Sequence, residues 1–212
     1  MSLLLLLSIS VAVNRVEADT AVVRAIPPEV TVPSVGQRFT LNITIADVAD
    51  LYGYEVKVYY NSTQLDALWN VLPSDHFMRP LAGGTFFVVK NSSDNAYNAT
   101  HKFAWFGGSL LAPELPRAGS GTLFQIVFNA TAKGGPYSVY INYPGNPYPA
   151  KLADSSSPPN TIPCTAEHSY ITVIPEFPAS LFIVVLMAAT LVAVTFGRTA
   201  WLRKRRSSFI AD

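Results

Sequence analysis

The sequence predicts an all-β domain, a β-sandwich or jelly roll, between two apolar ends. Three observations lead to this prediction. Several segments alternate apolar and polar residues with the period of two that a half-buried strand requires. Clusters of glycine and proline separate these segments, and no long amphipathic helical pattern precedes the C-terminal apolar run. Many short strands interrupted by turn residues at this spacing are typical of a sandwich.

The first apolar segment, residues 3–13, is far shorter than the roughly 20 residues that span a bilayer. Val16 and Ala18 place small residues at the positions that precede a signal-peptidase cut. Residues 1–18 therefore predict a secretory signal peptide that is cleaved before Asp19, although no Lys or Arg precedes the apolar run. A buried first strand is the alternative interpretation.

Three segments set the phase of the predicted strands, because their apolar residues occupy alternate positions. The residues predicted to face the core are Phe39, Leu41, Ile43 and Ile45, then Val56, Val58 and Tyr60, then Phe124, Ile126 and Phe128. Further strand candidates are residues 21–26, 85–90, 101–106, 137–142 and 169–174. The turn candidates between them are residues 27–28, 83–84, 107–108, 134–136 and 144–147, which are rich in glycine and proline.

Asn-x-Ser/Thr sequons, the acceptors of N-linked glycans, occur at Asn42, Asn61, Asn91, Asn98 and Asn129. Chance predicts about two in a chain of this composition. Asn42, Asn61 and Asn129 fall on the polar faces of the three phased strands, although they were not used to set the phase. Asn91 and Asn98 lie in or beside a predicted polar turn at residues 91–95. All five sites are predicted to be accessible for glycosylation.

The C-terminal segment has three parts. A short proline-rich stalk, residues 175–178, precedes residues 179–197, which carry no charge and predict a transmembrane helix. The basic tail, residues 198–212, is predicted to be cytoplasmic because loops rich in Lys and Arg stay inside. Its charge is concentrated at Arg203, Lys204, Arg205 and Arg206. These features predict a single-pass protein of the cell membrane whose ectodomain, residues 19–174, is extracellular; a buried core helix is the alternative.

The charge of the middle segment argues against nucleic-acid binding. The whole chain has 15 basic and 14 acidic residues, but residues 19–178 contain nine Lys or Arg against twelve Asp or Glu, a net charge of −3. A domain that holds a phosphate backbone needs a positive field. Cys164 is the single cysteine, so it forms no intrachain disulfide, and a buried or incidental thiol is the simplest interpretation.

The sequence also argues against an enzyme, a cofactor or a metal site. His76, His101 and His168 are far apart, and no nucleophile elbow, phosphate loop or zinc motif is present. Asp47 and Asp50 form a close acidic pair, which turn capping explains and which is too small a ligand set for calcium. Some aromatic residues could stack on sugars, although core packing is the simpler interpretation. These residues are Tyr52, Trp69, Trp105 and Tyr143.

The middle segment resembles the cohesin family. The resemblance is carried by residues 32–40, 45–54, 58–61 and 119–128, which contain the opening strand pair and a glycine-rich entry to a late strand. It covers residues 20–174 and implies a jelly-roll sandwich of about nine strands, related to carbohydrate-binding modules. Asn61 departs from the family pattern, which has an Asp followed by Pro there.

The resemblance implies a non-catalytic, cell-surface receptor for a calcium-loaded dockerin on another protein, which could degrade polysaccharides. A direct carbohydrate-binding module and a structural envelope glycoprotein are the alternatives. The tail is similar to archaeal C-terminal sorting signals, in which Pro175, Glu176 and Phe177 precede the apolar helix and the basic cluster. Whether such a helix is retained or replaced by a lipid anchor is left open, as are the partner, its binding face and glycan occupancy.

Overall fold

The computed structural model describes residues 20–142, 150–175 and 179–208. Within the final helix, it describes the side chains of residues 183–196 and 198 only. The chain divides into two compact units, Met1–Val173 and Ile174–Asp212. The predicted signal peptide at residues 1–18, Tyr143 with the turn at 144–147, and residues 176–178 of the predicted stalk lie outside the described residues. The side chains of the basic cluster at residues 203–206 do so as well.

The first unit is built from β-strands, and the second contains a helix. The described strands are Ala21–Ile26 (β1), Glu29–Val32 (β2), Arg38–Leu51 (β3), Gly53–Asn61 (β4), Leu65–Val71 (β5), Thr85–Ala96 (β6), His101–Leu111 (β7), Arg117–Ala130 (β8), Gly134–Ile141 (β9), Ala150–Ala153 (β10), Cys164–Glu167 (β11) and Ser169–Val173 (β12). The helix is Ala179–Ser208 (α1).

The strands form two sheets that pack face to face. The first sheet has the order β11-β1-β3-β8-β5, and the second has the order β2-β12-β9-β4-β7-β6, with β10 paired to β4. The β1–β11 and β12–β2 pairs are parallel, whereas the other named pairs are antiparallel. The prediction of a β-sandwich is confirmed. The structure describes twelve strands where about nine were predicted; β2, β5, β10 and β11 coincide with none of the strand candidates, and β2, β10 and β11 are only four residues long.

The core confirms the predicted strand phase. Leu41, Ile43 and Ile126 are fully buried, together with the apolar residues that alternate with polar ones on β4 and β8. Phe39 is half-buried, and its ring stacks on Phe128 at a centroid distance of 5.6 Å. Inward alternation from both sheets fills the space between them, as a sandwich requires.

A stack of aromatic rings lies at the centre of this core. The Phe106 and Phe124 ring centroids are 4.8 Å apart, and Tyr54 lies 6.3 and 6.4 Å from them. Phe106 and Phe124 come from different sheets, so the stack joins the two layers. The Tyr54 hydroxyl donates to the Leu123 carbonyl oxygen at 3.1 Å, and burial raises the pKa of Tyr54 far above its ordinary value. A buried phenol that keeps a hydrogen bond avoids the penalty of an unpaired polar group.

The polar turn predicted at residues 91–95 is wrong, because this segment continues strand β6 to Ala96. Its polar groups find partners across the edge of the sandwich. Asn70 of β5 donates to the side-chain oxygen of Asn91 at 3.1 Å and to the carbonyl oxygens of Ser92 and Trp105 at 3.2 and 3.3 Å. These contacts join the edges of the two sheets. The polar sequence of this segment does not predict a strand, but hydrogen bonds to a neighbouring strand stabilise it as one.

The turn predicted at Gly107 and Gly108 is also wrong, since both residues lie inside β7. A Cβ atom on Gly107 would lie 2.8 Å from the Tyr54 carbonyl oxygen, and one on Gly108 would lie 2.5 Å from the Phe86 ring. The glycines therefore permit close packing within the strand instead of a change of direction.

The connection from β5 to β6 carries His76 and Met78 into buried positions. Glu114 anchors its far end, because its carboxylate accepts hydrogen bonds from the backbone N–H groups of Leu81, Ala82 and Gly84 at 2.8–2.9 Å. An Arg117 nitrogen lies 2.7 Å from the same carboxylate. These donors favour the charged form and hold the pKa of Glu114 at about 2. Burial lowers the pKa of His76, because it disfavours the charged imidazolium.

Helix α1 covers the segment for which a transmembrane helix was predicted at residues 179–197. Within the described part of the chain, no helix combines the length and the apolar character that a membrane crossing needs. The helix is therefore present, but its predicted role as a membrane span is not supported.

Candidate protein-binding face

The outer face of the second sheet contains a depression, and the register of three strands explains why it forms. Gly53 of β4 pairs with Ser109 of β7 on one side and with Ala153 of β10 on the other. Three neighbouring strands thus place small side chains side by side. The Ser109 hydroxyl donates to the Tyr52 carbonyl oxygen at 3.1 Å, which holds it against the backbone. The result is a concavity of about 240 Å³, which we call the depression.

The next row of residues on the sheet supplies the walls of the depression. Glu55 of β4 pairs with Gly107 of β7 and with Lys151 of β10, and Lys90 of β6 pairs with Gly107 from the opposite side. The Lys151 ammonium lies 3.7 Å from the Glu55 carboxylate, so these two charges offset each other. Most of the accessible surface of the depression is apolar, which suits an apolar side chain from a partner.

Beside the depression, Lys57 and Lys90 hold their ammonium groups over one tryptophan ring. Both nitrogens lie 4.6 Å from the centroid of Trp105, and we call these three residues the lysine–tryptophan cluster. Lys57 is the direct cross-strand neighbour of Trp105, whereas Lys90 arrives from the edge strand β6. Attraction between a cation and an aromatic face contributes about 0.5–1 kcal/mol at exposed sites. It orients both ammonium groups on the surface.

The aromatic residues next to this cluster pack against one another at angles. Tyr59 lies 5.4 Å from Phe103 with an interplanar angle of 37°, and it meets Tyr97 edge-on at 77°. Phe103 and Trp105 are tilted by 53°. A flat row of exposed rings would favour stacking on sugars, and these tilted rings do not form one.

The edge strand β6 adds exposed apolar surface to the same side of the molecule. Phe87 is 55% exposed and Val89 is 59% exposed. Phe87 pairs with Ser109, so it extends the row that forms the floor of the depression. Contiguous exposed apolar groups beside polar ones mark interaction surfaces in soluble domains.

The sequons leave the centre of this face open. Asn61 and Asn98 lie together at one end, where each side-chain oxygen accepts hydrogen bonds from the threonine of its own sequon. Asn91 lies on the edge strand β6 and its side-chain oxygen is bonded to Asn70. By contrast, Asn42 and Asn129 lie on β3 and β8, which are interior strands of the first sheet.

The outer face of the first sheet is a weaker candidate. It has a concavity of about 400 Å³ lined by Arg24, Thr44 and Asp47, among others, but the Arg24 charge is already paired with Glu167 at 2.9 Å. Asn42 lies beside this concavity, because it pairs with the lining residue Ile26. A glycan on Asn42 would cover this surface.

The other residues considered from the sequence do not converge on a site. The backbone N–H of Asp47 donates a hydrogen bond to the hydroxyl oxygen of Ser120, whereas the Asp50 carboxylate accepts hydrogen bonds from the backbone N–H and the hydroxyl of Ser155. Within the described ranges, no three His, Cys, Asp or Glu residues are grouped to hold a metal ion. Cys164 is half-buried, and burial raises the pKa of its thiol.

Three of the four aromatic residues considered as sugar contacts pack against other residues of the protein. Tyr52 is partly buried and packs against the core. Trp69 is 44% exposed, and the Arg38 guanidinium lies over its ring at 5.2 Å. Trp105 belongs to the lysine–tryptophan cluster.

No protein-family model matches the chain, and no curated protein matches it. Solved structures do share its fold. The CaCohA2 cohesin of Clostridium acetobutylicum is 17% identical, with a TM-score of 0.52 over 75% of this chain and 94% of that one. The seventh ScaB type I cohesin of Pseudobacteroides cellulosolvens is 16% identical, with a TM-score of 0.52 over 75% and 95%. The third ScaC cohesin of Acetivibrio cellulolyticus, solved in complex with the ScaB dockerin, is 14% identical, with a TM-score of 0.52 over 74% and 100%. The class of protein that this fold defines is a cohesin-like β-sandwich.

Proposed function

We propose that this chain is a non-catalytic protein-binding module that captures a dockerin-like partner through the outer face of β4, β6, β7 and β10. One observation carries the proposal: the depression and the exposed side chains of Phe87 and Val89 lie together, at the end of this sheet remote from the sequons Asn61 and Asn98. The shared fold with cohesins supports it, since one of these was solved with a dockerin bound. Any calcium requirement belongs to the partner in this proposal.

Replacing Ala153 by Trp is expected to abolish capture of the partner. A tryptophan side chain would fill the depression, and a partner that inserts there would lose its anchor, which costs at least about tenfold in affinity. The measurement is a pull-down of calcium-loaded dockerins from the source organism on the immobilised chain, with and without a chelator. Thermal unfolding of the variant shows whether the sandwich is intact.

Thr40→Trp is the matched control, because Thr40 is exposed on β3 of the first sheet. It should bind like the unmodified chain. Loss of binding in this control with retention in Ala153→Trp would assign the partner to the opposite face. Capture of insoluble polysaccharide without any dockerin would replace the proposal by a carbohydrate-binding module, and capture of neither would leave a structural envelope role.

We further propose that the sandwich is exported and attached to the outside of the cell through the segment after Val173. The five sequons and the predicted signal peptide motivate this localisation. Protease added to intact cells should then remove residues 20–173, while a cytoplasmic marker protein stays intact. A sandwich that is degraded only after the cells are permeabilised would contradict the localisation.

A further inference from the structure

The lysine–tryptophan cluster presents two positive charges without an internal counter-charge. Among the residues that the structure describes, no carboxylate lies within ion-pair distance of Lys57 or Lys90, whereas Glu55 on the same face is paired with Lys151. Three of the five lysines between residues 19 and 178 lie on this face, although that segment has a net charge of −3. This face therefore carries a local concentration of positive charge, although the segment as a whole has a negative net charge.

The cluster is also short of hydrogen-bond acceptors. Lys57 and Lys90 each hold an ammonium group over the same ring, so two like charges share a small area of the surface, and like charges repel each other. The ring offsets only part of that repulsion. The Trp105 indole N–H is out of contact with solvent and has no acceptor in the described part of the chain. A carboxylate near both lysines would form charge-assisted hydrogen bonds, which are the stronger class.

Lys90 belongs both to this cluster and to the wall of the depression. A ligand that fills the depression with an apolar side chain therefore brings its neighbouring residues to the two ammonium groups. We propose that the partner presents a large apolar side chain next to an Asp or Glu, and that Lys57 and Lys90 bind this carboxylate. This inference rests on the proposed function, and it specifies the chemistry of the partner.

The same charges argue against a second copy of this chain as the occupant. A two-fold contact through this face would bring Lys57 and Lys90 of one copy towards the same residues of the other. Like charges placed against each other across an interface are unfavourable. The carboxylate must then come from a different protein, whose contact surface is acidic and apolar.

The test compares three variants of the full chain. Lys57→Gln with Lys90→Gln removes both charges, Lys57→Arg with Lys90→Arg keeps them, and Lys133→Gln removes an exposed charge from the turn between β8 and β9. The first probe is the calcium-loaded dockerin captured in the pull-down, titrated at low and high salt. We expect the double Gln variant to bind about tenfold more weakly per lysine removed and to lose most of its salt dependence. The double Arg and Lys133→Gln variants should stay within about twofold.

A second probe does not depend on a dockerin. It is a phage-displayed library of random peptides, which is selected separately on the unmodified chain and on the double Gln variant. Enrichment of Asp or Glu beside a large apolar residue, on the unmodified chain alone, would support the inference even if no dockerin is captured. Three results would overturn the inference: enrichment of neutral or basic sequences, enrichment of the same sequences on both proteins, or no enrichment at all. A dockerin that binds the double Gln variant as tightly as the unmodified chain would overturn the inference and leave the proposed function standing.

Discussion

Ile126→Asp is expected to abolish folding of the sandwich. Ile126 is fully buried at the centre of β8, where it pairs with Leu41 of β3. An aspartate there would be a charge without a partner, and the cost of several kcal/mol is comparable to the whole stability of a domain of this size. Circular dichroism and a urea titration of the purified chain would show loss of the cooperative transition.

Asn129→Gln on the same strand is the matched control. Asn129 follows the buried Phe128 on β8 and lies on the outer face, so its replacement should change the free energy of unfolding by less than about 0.5 kcal/mol. If both substitutions had the same effect, the alternation that defines the inner face of β8 would be wrong by one residue.

Phe124→Ala is expected to destabilise the sandwich by about 3–5 kcal/mol. The Phe124 ring is fully buried and stacks on Phe106, which comes from the opposite sheet. Truncation would leave a cavity between the two layers, next to the Tyr54 ring, and would remove contacts that join them. The denaturant midpoint should fall sharply while the slope of the transition stays the same.

Phe87→Ala makes the same chemical change at a side chain that is 55% exposed. The free energy of unfolding should fall by less than about 1 kcal/mol, because more than half of the Phe87 ring is already exposed to water. Capture of the partner should weaken instead, since Phe87 extends the floor of the depression. Equal destabilisation by the two substitutions would mean that Phe87 belongs to the core.

The strand phases could be predicted from the sequence because alternation is a local property. Leu41, Ile43 and Ile45 face the core in the structure as their spacing predicts, and so do the apolar residues of β4 and β8. The extent of β6 could not be predicted. Residues 91–95 in its second half are all polar, and they form a strand because Asn70, more than 20 residues away, supplies hydrogen bonds to this segment.

For the candidate site too, the sequence predicted some features, and the pairing of distant strands decided the others. The sequence predicted the sequons and the residues of β4 that face the core, but no local pattern in it indicates the depression. Gly53, Ser109 and Ala153 are about 50 residues apart along the chain, and only the pairing of three strands makes them neighbours. Trp105 was considered as a possible sugar contact, and the two lysines over its ring were not predicted.

By itself, the sequence determined the class of fold and which residues of each long strand face the core. These properties depend on local periodicity, because burying alternate side chains is what stabilises a half-exposed strand. The tertiary structure decided which strands are neighbours, why Gly107 and Gly108 lie inside a strand, and where a partner can insert a side chain. Those features depend on register between distant segments, which no local pattern specifies.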